Sequence, residues 1–410
     1  MKIAFIVRGR ATLEAKLKKL GIVPQDENFW KYTELSLVEV QKLGYPPSIC
    51  KQVADILGQW KHRRGSGTYW WRVKIPADWL AKRGHEVAYV DQITKPSEKY
   101  PNLPDTFNQY DVVVFQRLSQ EDIAAALTKD KAWLTGKRAC IVYETDDLLH
   151  GVPLSNPTAP TYRAGVLNAI DLFLQQSHVL TVTGSGLRDY YAERTGKPVF
   201  ICPNSIDYER WSKPAAVNDT GKVRILWAGS KTHDADFREF EKALRMLIQS
   251  HRNKFHLVLM GSVPSPIAML AKAHGEFARN VDVEDYPKRL AELSPDVIIA
   301  PLSMRPGSEL DFNVCKSNIK RLEAGALGVP AVTSDIATYN LDAPEGAVYC
   351  KTAEDWHAAL AKMIDEPGYR KQMGWANAQF TKRTYDIAQT IGRWEVAFEE
   401  GMRIAQGKKP

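Results

Sequence analysis

At 410 residues the chain is too long for one ordinary hydrophobic core, so length alone favours two domains. A hydrophobic share of 44% with 25% charged residues excludes a disordered polymer. A net charge of +7 suits an anionic substrate, nucleic acid or an acidic membrane surface, and is too small to choose among them.

The apolar start Met1–Val7 is followed by Arg8 and Arg10 and lacks the longer apolar stretch and cleavage site of a signal peptide. No run approaches the roughly 20 apolar residues that cross a bilayer. A soluble, cytoplasmic protein is the expectation, in the host cytoplasm if the gene is a phage's. The five cysteines form no CxxC pair and the nine histidines no HExxH pair, so no metal site is expected.

Short β-branched runs alternate with amphipathic segments along the chain, the pattern of parallel α/β units. Strands are expected at 2–7, 86–90, 111–115, 139–143, 179–182 and 199–202, with helices at 70–83, 162–176 and 186–195 between them. The pattern restarts with strands at 223–227, 255–260, 296–300, 331–333 and 347–350 and helices at 237–250, 316–326 and 353–363. Residues 9–64 interrupt it as a mostly helical insertion ending in Lys61-His62-Arg63-Arg64. Residues 386–406, with Ile387, Ile391, Trp394, Phe398 and Met402 at helical spacing, read as one long helix beyond the last strand. The expected organisation is a domain over 1–204, a second domain over 205–380, and a C-terminal helix and tail over 381–410.

Chemistry concentrates where strands end, because ligands of open parallel sheets bind there. The run DVIIAPLSMRPGSELDFNVCKSNIKRLEAGALGVPAVTSD, from Asp296 to Asp335, leads a buried strand through a polar loop into a helix expected to open near Cys315–Lys316. A helix start offers unpaired N–H groups to an anion. Lys316 and Lys320 add charge, with Asn313 and Ser317 alongside, and Glu323 is placed about two helical turns in to accept from a ribose. A capped surface helix with solvated lysines is the alternative. The turn Gly229-Ser230-Lys231-Thr232-His233 follows another strand and offers small residues, hydroxyls, a cation and an imidazole.

These residues carry a resemblance. Glu323, Gly328, Pro330 and Val332 match the donor-binding signature of GT-B glycosyltransferases of the retaining family-4 type, in which a Glu–seven residues–Glu motif precedes A-x-G-x-P-V. Cys315 stands where the first glutamate would. The run Phe312-Asn313…Lys316-Ser317…Lys320…Glu323 resembles a divergent branch of phage and bacterial type with a lysine–serine pair in this loop. Pro203-Asn204-Ser205-Ile206-Asp207, Ile225–Ser230, Gly84-His85-Glu86-Val87 and Val182-Thr183-Gly184-Ser185 resemble further landmarks of the family in order and spacing. The implied fold is α/β, two doubly wound Rossmann-like domains facing a cleft with a C-terminal helix crossing back. The implied reaction is metal-independent transfer from a nucleotide-diphosphate sugar, a UDP-sugar foremost, to a hydroxyl with retention.

The resemblance also gives Gly67, in the loop Gly65-Ser66-Gly67, a place near the donor diphosphate. It makes Tyr143-Glu144-Thr145-Asp146-Asp147 the acceptor-side loop, with Asp146 and Asp147 as candidate catalytic carboxylates; capping the next turn is their alternative. A glycan or small molecule is the expected acceptor and a hydroxymethylated DNA base the alternative. A sugar-nucleotide epimerase and a non-catalytic nucleotide-sugar-binding protein remain as readings of other classes.

Overall fold

The computed structural model describes residues 1–6, 52, 67–90, 109–121, 124, 139–263, 265–341 and 345–407. The expected insertion at 9–64, except Gln52, and Gly65 and Ser66 lie outside the described residues, as does the Lys231 side chain. The backbone forms two six-stranded sheets. The chain divides into two compact units, one of Met1–Glu144, Asn168–Leu180 and Ala397–Pro410, the other of Thr145–Leu167 and Thr181–Val396.

The first sheet has the order β2-β1-β3-β4-β5-β6: β1 (Lys2–Ile6), β2 (Glu86–Val90), β3 (Val112–Gln116), β4 (Cys140–Thr145), β5 (Val179–Val182) and β6 (Val199–Ile201). The β1–β2, β1–β3 and β3–β4 pairs are parallel. Val112 to Phe115 are wholly buried, as a strand covered on both faces requires. A π-helical turn, Trp70–Lys74, runs into α1 (Ile75–Lys82), and α2 (Ala164–Gln176) and α3 (Ser185–Thr195) follow later strands. Glu144 of the Tyr143–Asp147 run is wholly buried and accepts from Arg72 Nε at 2.6 Å, so this acid braces the first unit.

The second sheet has the order β12-β11-β10-β7-β8-β9, all parallel. Its strands are β7 (Val223–Gly229), β8 (Phe255–Gly261), β9 (Gly275–Ala278), β10 (Val297–Ala300), β11 (Ala331–Ser334) and β12 (Ala347–Cys350). After β7 a 3-10 segment, Lys231–Phe237, leads into α4 (Arg238–His251), which turns Phe240, Ala243, Leu244 and Leu247 onto the sheet at helical spacing. Trp227, Phe237, Phe240 and Trp356 form a chain of edge-to-face rings with centroids 4.8, 5.8 and 5.5 Å apart, the core beneath the strand ends. Next come α5 (Ser265–His274), α6 (Tyr286–Glu292), α7 (Ser308–Asn313), α8 (Ile319–Leu327), α9 (Ala353–Asp365), α10 (Pro367–Tyr385) and α11 (Gly392–Ala405).

Several elements depart from expectation. The helix expected from Lys316 begins at Ile319, after the separate helix α7 and a turn. The break has a cause: Asn313 spends its amide on Asp236 and Ser303, and Ser317 accepts from Asn204, holding the intervening chain off a helical path. Glu323 therefore sits just over one turn into α8. The 386–406 helix is interrupted: Ile387–Thr390 is a short helix capped by Asp386, and α11 starts at Gly392. Strand β9, the helices α5 and α6 and the 19-residue α10 were not expected at all. Helix α10 buries Gly374, Asn377, Phe380, Thr381 and Tyr385, so small and polar residues interrupt the apolar ones on its packed face.

Two glycines set close backbone approaches. A Cβ on Gly325 would lie 2.0 Å from Thr381 Oγ1, so α8 and α10 pack through that position. Gly261, at φ +104°, closes β8 against the end of β7, and a Cβ there would lie 1.9 Å from the Gly229 carbonyl oxygen. Gly261→Ala is expected to cost about 2 kcal/mol or more through the clash and the left-handed φ. A thermal melt equal to the wild type would contradict this packing.

Candidate functional site

In the second unit, polar side chains gather where β7, β10 and β11 end, and Asp236 is their hub. Asp236, on the 3-10 segment after β7, accepts from His233 Nδ1 at 2.7 Å, Asn313 Nδ2 at 3.0 Å and the Ser303 amide at 2.8 Å. The Lys316 ammonium stands 3.7 Å from it. Burial alone would raise the Asp236 carboxyl. The His233 hydrogen bond and the Lys316 charge outweigh it and hold the group below the usual carboxylate range. Burial, and then the Lys316 charge, push His233 down to about 4, so its imidazole is neutral at pH 7.

A second group lies along α8. The Lys320 ammonium donates to the Ala228 carbonyl and stands 5.5 Å from the centre of the Trp227 ring. Burial lowers its pKa, against the pull of Glu323. Burial raises Glu323 to about 7 despite Lys320 and a 3.2 Å hydrogen bond donated by Tyr286. The two lysines thus stand among the Asp236 carboxylate, the raised Glu323 carboxyl and a neutral imidazole, with Glu309 joined to the same group through the Ser303 hydroxyl at 2.7 Å.

Of the residues singled out from sequence, Gly229, Ser230, His233, Asn313, Lys316, Ser317, Lys320 and Glu323 are all in this unit, on the β7 end, the 3-10 segment and the α7–α8 stretch. Ser230 Oγ pairs with Thr232 Oγ1 at 2.8 Å, and Ser317 Oγ accepts from Asn204 at 3.0 Å. Asn313 serves Asp236 and is 3% exposed, so its amide holds the loop in place. Gly67 opens the short helix Gly67–Tyr69 of the first unit and is exposed.

Asp146 and Asp147 follow β4 and are partly exposed. Asp147 is close enough to Cys315 to act on its thiol, which burial, then Asp311, Asp147 and Asp189, push up to about 12. The position where the resemblance would put a glutamate is therefore an uncharged, buried thiol.

Sequence reasoning missed Asp236, Ser303 and Tyr286. His233 and Asp236, three residues apart directly after a strand, were the available signal for the first. Among the described residues no cluster of three or more His, Cys, Asp or Glu side chains could hold a metal ion, and no helix is long and apolar enough to cross a membrane.

No family model matches the chain, and no curated protein matches it by sequence. Solved structures do match. Sucrose-phosphate synthase from Thermosynechococcus elongatus superposes with a TM-score of 0.54 at 11% identity, covering 80% of this chain and 92% of that one. Anabaena HepE, solved with UDP and glucose, gives 0.53 at 12% over 97% and 99%. An α-glucosyltransferase solved with UDP-glucose and DNA containing an abasic site gives 0.54 at 12% over 81% and 94%. Two parallel six-stranded sheets with flanking helices, shared with these enzymes, make this chain a protein of the GT-B fold.

Proposed function

We propose that the chain is a glycosyltransferase that moves a sugar from a nucleotide-diphosphate donor, a UDP-sugar foremost, to a hydroxyl acceptor with retention of configuration. The observation that carries this reading is the convergence of Lys316, Lys320 and Glu323 on the ends of β7 and β10, two lysines at strand ends with a carboxyl beside them. In this reading the diphosphate lies over Gly229 and Ser230, and Glu323 accepts from the ribose hydroxyls.

The bond from the anomeric carbon to the diphosphate oxygen breaks, and the acceptor oxygen bonds to that carbon. The acceptor proton passes to the leaving diphosphate. Fixed cations aimed at the leaving group supply most of the acceleration, because charge grows there in the transition state. Asp146 and Asp147 would orient the acceptor hydroxyl, which is a glycan's or a small molecule's. The reaction as proposed uses no metal ion.

Incubation with UDP-, GDP- and ADP-sugars, without acceptor, should release nucleoside diphosphate slowly and best from a UDP-sugar. Thermal stabilisation without any release would identify a binding protein instead. Recovery of an epimerised donor would identify an isomerase.

A further inference from the structure

Strand β9, Gly275–Ala278, ends the second sheet, and among the described residues no strand lies on its outer side. That side presents backbone N–H and C=O groups which a further strand can join. Natural edges are usually guarded by a free charge, a proline or a bulge. This edge is not. Gly275–Ala278 run in unbroken register with Leu257–Met260 of β8. The one charged residue, Glu276, is tied back across the sheet, accepting from Arg224 Nη2 of β7 at 2.6 Å and standing 3.7 Å from His256 of β8.

What the edge shows instead is apolar. Phe277 is in register with Leu259, on the face that packs in one cluster with Ile267 and Ala271 of α5, yet it is 49% exposed. Met269 of α5 is 64% exposed, and Val281, just past the strand, is exposed as well. Three of the nine exposed large apolar residues of the described surface thus fall in this one short stretch, Met269–Val281. Charge also changes sign along it. Burial, then Arg252 and Lys222, lower the His274 imidazole, so both cations stand by the start of the strand, with Lys272 in the last turn of α5. After its end come Asp282, Glu284 and Asp285, all exposed, against one cation, Arg279. Such a strand sets like charges together in a parallel pairing with its own copy, and unlike charges in an antiparallel one.

We propose that two copies of the chain join through β9, antiparallel about a two-fold axis at Phe277, so that their second sheets run on as one of twelve strands. The occupant is a second copy because the edge complements itself. Phe277 meets Phe277 of the other copy as a cross-strand aromatic pair, and Lys272 of each copy stands level with Asp282 of the other. Each edge consumes the other, so assembly stops at the dimer. With a four-residue strand on each side, the interface belongs to the small, reversible class.

Sedimentation of the full chain over roughly 1–300 μM tests it, the span in which an interface of that class is half-formed. The mass should rise with concentration from one chain, 46.2 kDa, toward two and no further. Phe277→Lys places a charge on the exposed edge and should weaken dimerisation about tenfold or more. Lys272→Glu and Asp282→Lys should each weaken it about threefold, and the two together should restore it. Hydrogen exchange on the wild type gives an independent reading, because the 275–278 amides should slow as the dimer forms. A chain monomeric at every concentration would overturn the proposal, as would growth past the dimer. So would a dimer that Phe277→Lys leaves unchanged, or a double charge reversal without rescue. Amides that exchange equally slowly at every concentration would show the edge covered by the chain's own residues, and would overturn it too. Should Phe277→Lys fail to fold, the charge reversals and the exchange measurement decide.

Discussion

Lys316→Met is expected to lower kcat with a UDP-sugar about 10²–10³-fold, the usual effect of removing one fixed charge or donor from a developing oxyanion. The fold should survive, because Lys316 lies in a turn and its ion pair, to Asp236, is at 3.7 Å. Methionine keeps the apolar stem and removes only the ammonium.

The substitution has a second readout that does not depend on catalysis. Lys316 is, after burial, the main influence holding His233 down at about 4. Its loss should let the imidazole climb toward the ordinary value near 6.5. The Asp236 carboxyl, now short of one cation, should rise with it. An NMR titration of His233 that does not move in Lys316→Met would contradict the electrostatic account even where activity falls.

Glu323→Gln should abolish a pH dependence of stability. The Glu323 carboxyl rises from 4.5 to about 7 in the folded chain, so the folded state holds its proton more tightly than the unfolded state does. That contribution is complete below about pH 4.5 and is lost as pH rises to about 7, a total of about 3 kcal/mol at most. The glutamine variant carries no proton to lose. It should gain on the wild type in melts at pH 8 and show no advantage at pH 4. Nucleotide binding should move the opposite way. The ionised carboxylate is the form that accepts two ribose hydroxyls, so wild-type UDP affinity should increase with pH through about 7, whereas Glu323→Gln should bind roughly tenfold more weakly and flatly. A wild-type UDP affinity that falls over the same interval would contradict the assignment of Glu323 to the ribose.

The fold was legible because buried parallel strands are short runs of Val, Ile and Leu punctuated by turns, and Val297–Ala300 or Val112–Phe115 cannot be mistaken for a solvated face. Strand β9 escaped because Gly275-Glu276-Phe277-Ala278 has no such signature; Gly275 fits only because its Cβ position is taken up by the Leu257 carbonyl of β8. Lys316, Lys320 and Glu323 were singled out because a polar loop, glycines and a glutamate occur together after a strand end, and the structure gathers them in one unit. What sequence could not show is which cation does what. Lys320 turned out to hold the β7 carbonyl and lie by Trp227, and Lys316 to face Asp236.

Asp236 was missed for a related reason. Its importance comes from Ser303 and Asn313, 67 and 77 residues further on, meeting it in space. Cys315 shows the reverse case. Sequence placed it at a glutamate's position, and burial then explains why no charge is lost there: the loop packs a neutral thiol at that point.

The measurement that bears most directly on the donor assignment is a crystal structure with UDP bound. The account predicts the diphosphate over Gly229 and Ser230 within hydrogen-bond reach of Lys316, and the ribose hydroxyls on Glu323. A nucleotide found elsewhere in the chain, with Glu323 still engaged only by Tyr286, would contradict it.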